Sequence, residues 1–141
     1  HITAKHNIPM DIPHLIANPQ EIHQVFLNLM QNARYALNEK FPGKDEDKIL
    51  EISCNRAIID ERQYVRIIFY DRGVGIPEDI LPRVKDLFFT TKPSNRGTGI
   101  GLSISENIIL KHGGKISVES IRGEFTKVLI DLPATECTGE K

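Results

Sequence analysis

The sequence predicts an α+β fold in which a sheet of four or five strands is covered on one face by two or three helices. Two segments repeat apolar residues at helical spacing, and four or five short segments are rich in β-branched and aromatic residues. The chain has 141 residues, of which 40% are hydrophobic and 26% are charged. That length and composition are typical of one globular domain with its own core. We expect one domain over residues 1–141, with a core at about 18–133 and a tail at 134–141.

Composition argues against several function classes. Lys and Arg number 18 and Asp and Glu 19, so the net charge is −1, which disfavours a surface for nucleic acid or anionic membrane. Tryptophan is absent, which disfavours a stacking platform for single strands, and no apolar run approaches the ~20 residues of a spanning helix. Cys54 and Cys137 are expected to be reduced thiols. The first residues resemble no targeting peptide and are typical of a chain cut from a longer protein.

The first half of the chain predicts a strand, a long helix and a strand pair. Residues 1–8 favour a strand. Asn18 is expected to cap a helix that has Pro19 in its first turn and Glu21 in a capping box. Its apolar face comprises Ile22, Val25, Phe26, Leu29, Ala33, Ala36 and Leu37. The helix should end before Pro42, and the charged loop 44–48 should be solvated. Residues 49–59 and 64–70 then favour paired strands joined by residues 60–63.

The second half predicts a long irregular segment, a helix and two strands. Residues 77–101 lack a regular pattern, and connections of this length are often functional lids. Residues 102–111 repeat apolar residues at helical spacing and are followed by Gly113-Gly114, which favours a helix end. Residues 116–121 and 127–132 favour the last two strands.

Two asparagines make the first helix a candidate site. Asn28, Asn32 and Tyr35 are spaced to share one face beside the apolar one. Amide oxygens are hard, neutral ligands that suit Mg²⁺ sharing its shell with water and phosphate. The alternative is that both amides only form hydrogen bonds with neighbouring loops.

The end of the second paired strand carries a candidate recognition carboxylate. Asp71 is followed by Gly73 and Gly75, which allow the backbone to turn sharply and to approach a flat ring. The carboxylate is suited to accept a hydrogen bond from an exocyclic amine such as that of adenine. An ordinary Asp-x-Gly turn is the alternative.

A glycine-rich segment opens the second helix. Gly97-Thr98-Gly99-Ile100-Gly101-Leu102-Ser103 places free backbone amides at a helix start, where anions bind. No Gly-Lys-Ser/Thr follows, so it is not a P-loop, and Leu102 stands where a dinucleotide fingerprint needs glycine. Upstream, Phe88-Phe89-Thr90-Thr91-Lys92 places a cation beside two aromatic residues, suited either to phosphates or to simple anchoring of the loop.

In this order the segments resemble the ATP-binding catalytic domain of bacterial sensor histidine kinases, within the superfamily that includes DNA gyrase, a heat-shock chaperone and mismatch-repair ATPases. The resemblance covers about residues 18–133. It rests on Asn28-Leu29-Met30-Gln31-Asn32-Ala33, Asp71-Arg72-Gly73-Val74-Gly75-Ile76, Phe88-Phe89-Thr90-Thr91-Lys92 and Gly97-Thr98-Gly99-Ile100-Gly101-Leu102. It implies a two-layer sandwich of about three helices on a mixed sheet of about five strands (the Bergerat fold). An ATP lid would span about residues 77–96.

The resemblance also implies a site for ATP or ADP with Mg²⁺. Catalytic roles would fall to Asn28, Asn32 and Lys92, with Asn32 as the metal ligand. Nucleotide contacts would come from Asn32, Tyr35, Asp71, Gly73, Gly75, Ile76, Phe88, Thr91, Lys92, Gly97, Thr98, Gly99, Ile100, Gly101, Leu102 and Thr126. Asp71 would bind the adenine amine, and Thr126 would reach adenine through water. Two departures from the family pattern are Asp86-Leu87 in place of Glu-Pro, and Phe125 where a glycine usually precedes the threonine.

One position favours a kinase over a hydrolase. Hydrolytic members carry a glutamate four residues before the metal-binding asparagine, whereas this chain has Asn28 there, and an amide cannot act as a general base. The expected activity is therefore transfer of the γ-phosphoryl group of ATP to a histidine. A hydrolase or a non-catalytic nucleotide sensor is the alternative. His14 is expected in a loop rather than as the acceptor, and His112 as a favourable charge at a helix end.

The remaining expectations follow from the family. The acceptor histidine would belong to a separate dimerisation domain of a homodimeric parent kinase, which would pass the phosphoryl group to a response-regulator receiver domain. The isolated domain is expected to be a monomer that does not phosphorylate itself. Its expected location is cytoplasmic, with anchoring of the parent in the inner membrane left open.

Overall fold

The computed structural model describes residues 2–7, 17–83 and 101–134. Its elements are β1 (Thr3–Asn7), α1 (Pro19–Lys40), β2 (Ile49–Ile59), β3 (Arg62–Asp71), a 3-10 turn (Leu81–Arg83), α2 (Gly101–Lys111), β4 (Lys115–Ile121) and β5 (Phe125–Pro133). The predicted α+β sandwich is confirmed. Where about three helices were expected, the described residues contain two α-helices and the 3-10 turn. His14, Cys137 and most of the expected lid lie outside the described residues.

The described strands form one mixed sheet in the order β1-β2-β3-β5-β4. β1 runs parallel to β2, and the other neighbouring pairs are antiparallel. β3 is therefore the central strand, with β2 on one side and β5 on the other. This position matters because the candidate carboxylate Asp71 is the last residue of β3.

The core fills the space between the helices and one face of the sheet. Alternate residues of β3, namely Val65, Ile67 and Phe69, point into it, as the two-residue period of a strand requires. α1 contributes Val25 and Leu29, α2 contributes Ile108 and Ile109, and the neighbouring strands contribute Ile116, Ile130 and Leu132. The helices therefore cover the face of the sheet on which odd-numbered residues of β3 lie.

α1 begins as expected but without the capping box. The Asn18 side-chain oxygen accepts hydrogen bonds from the backbone N–H groups of Gln20 and Glu21, at 3.0 and 3.2 Å. The Glu21 carboxylate does not reach back to the cap, since it pairs with Lys111 at the end of α2. Glu21 therefore links two helices instead of closing the first turn of its own.

Two other local expectations were wrong. The connection between β2 and β3 is only two residues long, since Asp60 and Glu61 both adopt positive φ, 50° and 65°, in a tight turn that suits the twist of a hairpin. Lys48, expected in a solvated loop, is only 2% exposed. Its ammonium donates to the carbonyl oxygen of Gly43 at 3.2 Å, so the polar end of the side chain has a hydrogen-bond partner.

The opposite face of the sheet carries an ion pair in which the carboxylate is buried and the guanidinium is partly exposed. Arg66 on β3 donates from Nε and Nη2 to the two carboxylate oxygens of Asp131 on β5, at 2.7 and 3.1 Å. Asp131 is 2% exposed, and the pKa of Arg66 is raised chiefly by its hydrogen bond to Asp131. This pair links β3 to its neighbour β5 on the face of the sheet away from the helices.

Neither α-helix in the described parts of the chain combines the length and the apolar character needed to cross a bilayer.

Candidate functional site

The end of β3 brings Asp71 into line with two hydroxyl residues. In the sheet register Asp71 lies opposite Thr126 of β5, and Thr126 lies opposite Ser120 of β4. Directly opposite residues of antiparallel strands share a face and are close neighbours. Asp71 shares its face with Phe69, which packs in the core. Asp71, Thr126 and Ser120, which we call the polar row, therefore cross three strands on the helix-covered face.

Asp71 is a buried carboxyl group. It is 5% exposed, and its Oδ1 accepts a hydrogen bond from the backbone N–H of Gly73 at 2.9 Å. Burial raises the pKa of Asp71 to about 7, while the Gly73 N–H and the positive charge of Lys40 act in the opposite direction. A carboxylate retains further acceptor positions beyond one such bond, so Asp71 can accept a hydrogen bond from a ligand.

The turn after Asp71 requires glycine at two positions. A Cβ at Gly73 would lie 2.6 Å from the Cβ of Ala36, so this turn packs directly against α1. Gly75 has φ of +73°, and a Cβ there would clash with the carbonyl oxygen of Ile121. Both contacts of the added Cβ would be too short for a real side chain. Close packing therefore explains both glycines, and the positive φ is a second reason at Gly75.

Hydrogen bonds tie this turn to its surroundings. The Val74 N–H donates to the carbonyl oxygen of Ala36 at 3.3 Å, and the Val74 carbonyl oxygen accepts from the N–H of Gly123. Lys40, in the last turn of α1, donates to the carbonyl oxygen of Gly123 at 2.7 Å. The turn after β3, the turn between β4 and β5, and the end of α1 therefore form one connected rim around Asp71.

Ser120 connects the rim to the polar row. Its Oγ accepts from the Ile76 N–H at 2.8 Å, donates to the Phe125 carbonyl oxygen at 2.7 Å and lies 3.0 Å from Thr126 Oγ1. The backbone N–H of Ile76, a predicted nucleotide contact, is thus hydrogen-bonded to the protein itself.

Phe125, which replaces the usual glycine, does not enter the space beside Thr126. Its ring packs against Tyr70, with centroids 5.8 Å apart. Both residues neighbour members of the polar row in sequence, so they lie on the opposite face of the sheet. Thr126 keeps its regular register opposite Asp71, and the turn before it is completed by Gly123 with φ of +84°.

The predicted residues of α1 lie on the side of the helix that meets the turn. Asn28, Asn32 and Tyr35 are each half-buried. Residues 28, 32 and 36 are spaced by four and so lie along one helix face, and Ala36 on that face contacts Gly73. Asn32 is one helical turn, about 6 Å, from that contact. Asn32 therefore lies one turn before the point at which α1 meets the turn after Asp71.

Asn28 is held by hydrogen bonds to both helices. Its Nδ2 donates to Ser105 Oγ of α2 at 3.3 Å, and its Oδ1 accepts from Gln24 Nε2 at 3.0 Å. Ser105 is fully buried. These bonds fix the side chain of Asn28 one turn before Asn32.

The glycine-rich segment is described only from its last glycine. Gly101 is the first residue of α2, and Leu102 is half-buried against the core. The other predicted contacts of the lid and this segment lie outside the described residues; they are Phe88, Thr91, Lys92, Gly97, Thr98, Gly99 and Ile100.

The sequence prediction missed two residues of this region, Ser120 and Lys40. A signal for Ser120 was present, because Ile116, Val118 and Ser120 alternate along β4. Ile116 is in the core and Val118 lies opposite Val128, which packs against the core, so Ser120 is a polar residue at an inward position. Lys40 gave no such signal, since a lysine in the last turn of a helix is common. Its contact with Gly123 depends on residues 83 positions apart.

Comparison with known proteins connects this geometry to a family. Residues 17–136 match the family described as histidine kinase-, DNA gyrase B-, and HSP90-like ATPase. Sporulation kinase E of Bacillus subtilis is 37% identical over 131 residues, which is 93% of this chain and 16% of that protein. Sensory histidine kinase/phosphatase NtrB of Rhizobium meliloti is 33% identical over 134 residues, which is 89% of this chain and 33% of that protein. The chain thus spans a minor part of the length of these relatives.

Solved structures give the same result. The catalytic domain of histidine kinase ThkA, in a nucleotide-free form, superimposes with a TM-score of 0.71 and 30% sequence identity, covering 95% of this chain and 80% of that one.

Proposed function

The chain belongs to the histidine kinase-, DNA gyrase B- and HSP90-like ATPases, in the branch of two-component sensor kinases, and we propose that it binds Mg-ATP and transfers the γ-phosphoryl group to a histidine of a separate dimerisation domain. In this reaction the bond between the γ-phosphorus and the β–γ bridging oxygen breaks. A bond from an imidazole nitrogen to that phosphorus forms, and ADP leaves. The chain's main contribution is to position the reactants and to stabilise charge.

The observation that carries this proposal is that the turn after Asp71 packs on α1 at Ala36, four residues after Asn32. The buried carboxylate of Asp71 suits the donor character of the adenine amine. Gly73 and Gly75 let the turn after Asp71 pack closely against Ala36 and Ile121, which fixes the backbone beside that carboxylate. Thr126 lies opposite Asp71 in the sheet, and from the family we assign Tyr35 to the same site.

The residues also fit a metal-bound triphosphate. Asn32 supplies a neutral amide oxygen on the helix face that leads toward Asp71, and such hard ligands suit Mg²⁺ together with water and phosphate oxygens. Bound Mg²⁺ would neutralise charge that develops on the phosphates. From the family we assign Phe88, Thr91, Lys92 and the glycine-rich segment 97–102 to the phosphate side.

Asn28 supports a kinase over a hydrolase. The amide has no basic atom for a proton from water, and its hydrogen bonds to Gln24 and Ser105 hold it in place. A histidine nucleophile needs no such base, because neutral imidazole carries its own lone pair.

A transfer assay tests the proposal. The chain is mixed with γ-labelled Mg-ATP and the parent's dimerisation domain that bears the acceptor histidine. We expect acid-labile label on that domain, and no label when its acceptor histidine is changed to glutamine. Asn32→Asp should alter the Mg²⁺ dependence of transfer, whereas Asn38→Asp, at an exposed position of the same helix, should not.

The alternatives give different outcomes. Steady phosphate release without an acceptor would identify a hydrolase. Nucleotide binding without transfer to the cognate acceptor would identify a nucleotide sensor, and either result would overturn the kinase proposal.

The wider setting is also a proposal. We infer one catalytic domain over residues 1–141 of a homodimeric cytoplasmic or membrane-anchored sensor kinase. Its partners would be the dimerisation domain and, downstream, a response-regulator receiver domain. The names of the relatives support this setting.

A further inference from the structure

The hydroxyl group of Ser120 is fully used in hydrogen bonds. A serine hydroxyl has one proton and two lone pairs. The Phe125 carbonyl oxygen, 2.7 Å away, can only accept, so it receives the Ser120 proton. The Ile76 N–H, at 2.8 Å, can only donate, so it occupies one lone pair.

This arrangement determines the direction of the bond between Ser120 and Thr126. Their oxygens are 3.0 Å apart, and either could donate if the pair were isolated. The proton of Ser120 is already committed to Phe125, so the Thr126 hydroxyl must donate to Ser120. Thr126 has then used its only proton and offers only lone pairs to its surroundings.

We propose that Ser120 is a positioning residue that holds the Thr126 hydroxyl as a hydrogen-bond acceptor, so that Asp71 and Thr126 together select a 6-aminopurine over a 6-oxopurine. This inference rests on the proposed nucleotide function and deepens it. It follows from the register, because Asp71 and Thr126 lie directly opposite each other on the helix-covered face and are close neighbours.

The chemistry of the two purine types explains the selection. Adenine carries an amine on C6, which donates two protons. Hypoxanthine carries a carbonyl oxygen there, which can only accept. The oxygen on C6 would face acceptors from Asp71 and Thr126 with no proton between them, because the ring proton of hypoxanthine is on the neighbouring N1. Unpaired buried acceptors of this kind are costly. An amine would satisfy them, directly or through water.

Removing the Ser120 hydroxyl would release the proton of Thr126. In Ser120→Ala the Thr126 hydroxyl can rotate and donate to a 6-oxo group. We therefore expect the ratio of dissociation constants, Mg-ITP over Mg-ATP, to fall about fivefold, the effect of one ordinary hydrogen bond. A merely structural defect would weaken both nucleotides equally and leave that ratio unchanged.

The test is calorimetric titration of the whole chain with Mg-ATP and with Mg-ITP at pH 8.5, where Asp71 is ionised. The variants are Ser120→Ala, Thr126→Val and their combination, with Ser117→Ala on the opposite face of β4 as the matched control. In the Thr126→Val background, Ser120→Ala should have no further effect on the ratio. Ser120→Thr, which keeps the hydroxyl, should restore the wild-type ratio.

The results separate this inference from the proposed function. Absence of Mg-ATP binding to the wild-type chain would overturn the proposed function. Mg-ATP binding with an unchanged ratio in folded Ser120→Ala would overturn only the role of Ser120. If Ser120→Ala does not fold, Thr126→Ser and Thr126→Val decide: serine should keep the ratio and valine should lower it. Equal ratios in these two variants would contradict the proposal.

Discussion

Asp71 is the residue at which the demands of the fold and of the proposed function oppose each other. Its burial suits recognition of a ligand amine but penalises the ionised form, and this raises its pKa to about 7. The N–H of Gly73 and the charge of Lys40 recover part of that penalty. Without a ligand, the carboxyl group is therefore protonated in a large fraction of molecules near neutral pH.

This burial predicts a pH-dependent stability. The folded pKa lies above the ordinary value of 3.8, so the folded chain holds the proton more tightly than the unfolded chain. The stabilisation is complete below about pH 4 and is lost as the pH rises to about 7. Relative to wild type, Asp71→Asn should become more stable by about 2–3 kcal/mol between pH 5 and pH 8.5. Chemical unfolding at both pH values measures this; an identical difference at the two would contradict it.

The same substitution should have the opposite effect on the ligand. Asp71→Asn replaces an ionised acceptor, so Mg-ADP binding at pH 8.5 should weaken by about 1.5–3 kcal/mol, as for a lost charged hydrogen bond. The control is Asp60→Asn, at an exposed position in the β2–β3 turn with φ of 50°, which asparagine tolerates. Calorimetry measures both; unchanged binding by Asp71→Asn would exclude Asp71 as the adenine contact.

Sequence reasoning at this scale identified residues with distinctive types and spacing. Asp71, Gly73 and Gly75 stand out because a carboxylate and two glycines follow a strand. The role of Ser120 depends on its position opposite Thr126, and on Ile76 approaching from a different turn. The alternation along β4 marks Ser120 as an inward polar residue, but its partners are set by the sheet register, which no local pattern contains.

At the scale of the elements, hydrogen bonds connect the start of α1 to the end of α2, in addition to the packing of the two helices. The backbone N–H of Asn18, before α1, donates to His112 Nε2 at 3.1 Å, and His112 Nδ1 lies 2.8 Å from the Ile108 carbonyl oxygen. An imidazole that accepts at one nitrogen and donates at the other is neutral. His112 therefore acts as a hydrogen-bonding link, not as the charge at a helix end that its position predicted.

This link should contribute more to stability than the nearby ion pair. His112→Ala removes the bridge and should lower the free energy of unfolding by about 1 kcal/mol. Lys111→Ala removes a pair whose lysine side chain is 64% exposed and should cost less than about 0.5 kcal/mol. Thermal unfolding compares the two variants; an equal or larger loss in Lys111→Ala would contradict this ranking.

Elements with strong periodicity were predicted nearly to the residue. α1 ends at Lys40, just before Pro42, and β2 spans the expected residues 49–59. The predictions that failed involve long-range partners. Glu21 pairs with Lys111, 90 residues away, and the β2–β3 turn is shortened because β3 begins at Arg62, opposite Ile59.

At the scale of the whole molecule, the two faces of the sheet carry different kinds of interaction. The helix-covered face holds the core and the polar row, whereas the other face holds the Arg66–Asp131 pair. Adjacent residues of β5 thus serve different sides, since Ile130 is in the core and Asp131 pairs with Arg66.

This separation predicts a variant that loses stability and keeps its site. Arg66→Met leaves the Asp131 carboxylate buried without its partner and should cost about 2 kcal/mol, less than for a fully buried pair because Arg66 is partly exposed. Mg-ADP affinity should stay within about twofold of wild type at a temperature where the variant is folded. Arg62→Met, at the exposed start of β3, should change stability by less than about 0.5 kcal/mol. A marked loss of affinity in Arg66→Met would show that the two faces are coupled.

The fold class follows from composition and periodicity, but the strand order does not. Nothing local in the sequence indicates that β5 lies between β3 and β4. The prediction of a mixed sheet came from the resemblance to a known family. Local patterns cannot predict it, since the pairing of distant strands depends on the whole chain.

The position of β5 has a consequence for biosynthesis. A ribosome releases β4 before β5, yet β4 reaches the rest of the sheet only through β5. Until the chain has emerged past Pro133, β3 keeps one unpaired edge, a hazard for association with other nascent chains. The proposed nucleotide site includes Thr126 of β5 and cannot assemble before that moment either, so ligand capture during translation would report the completion of the last strand.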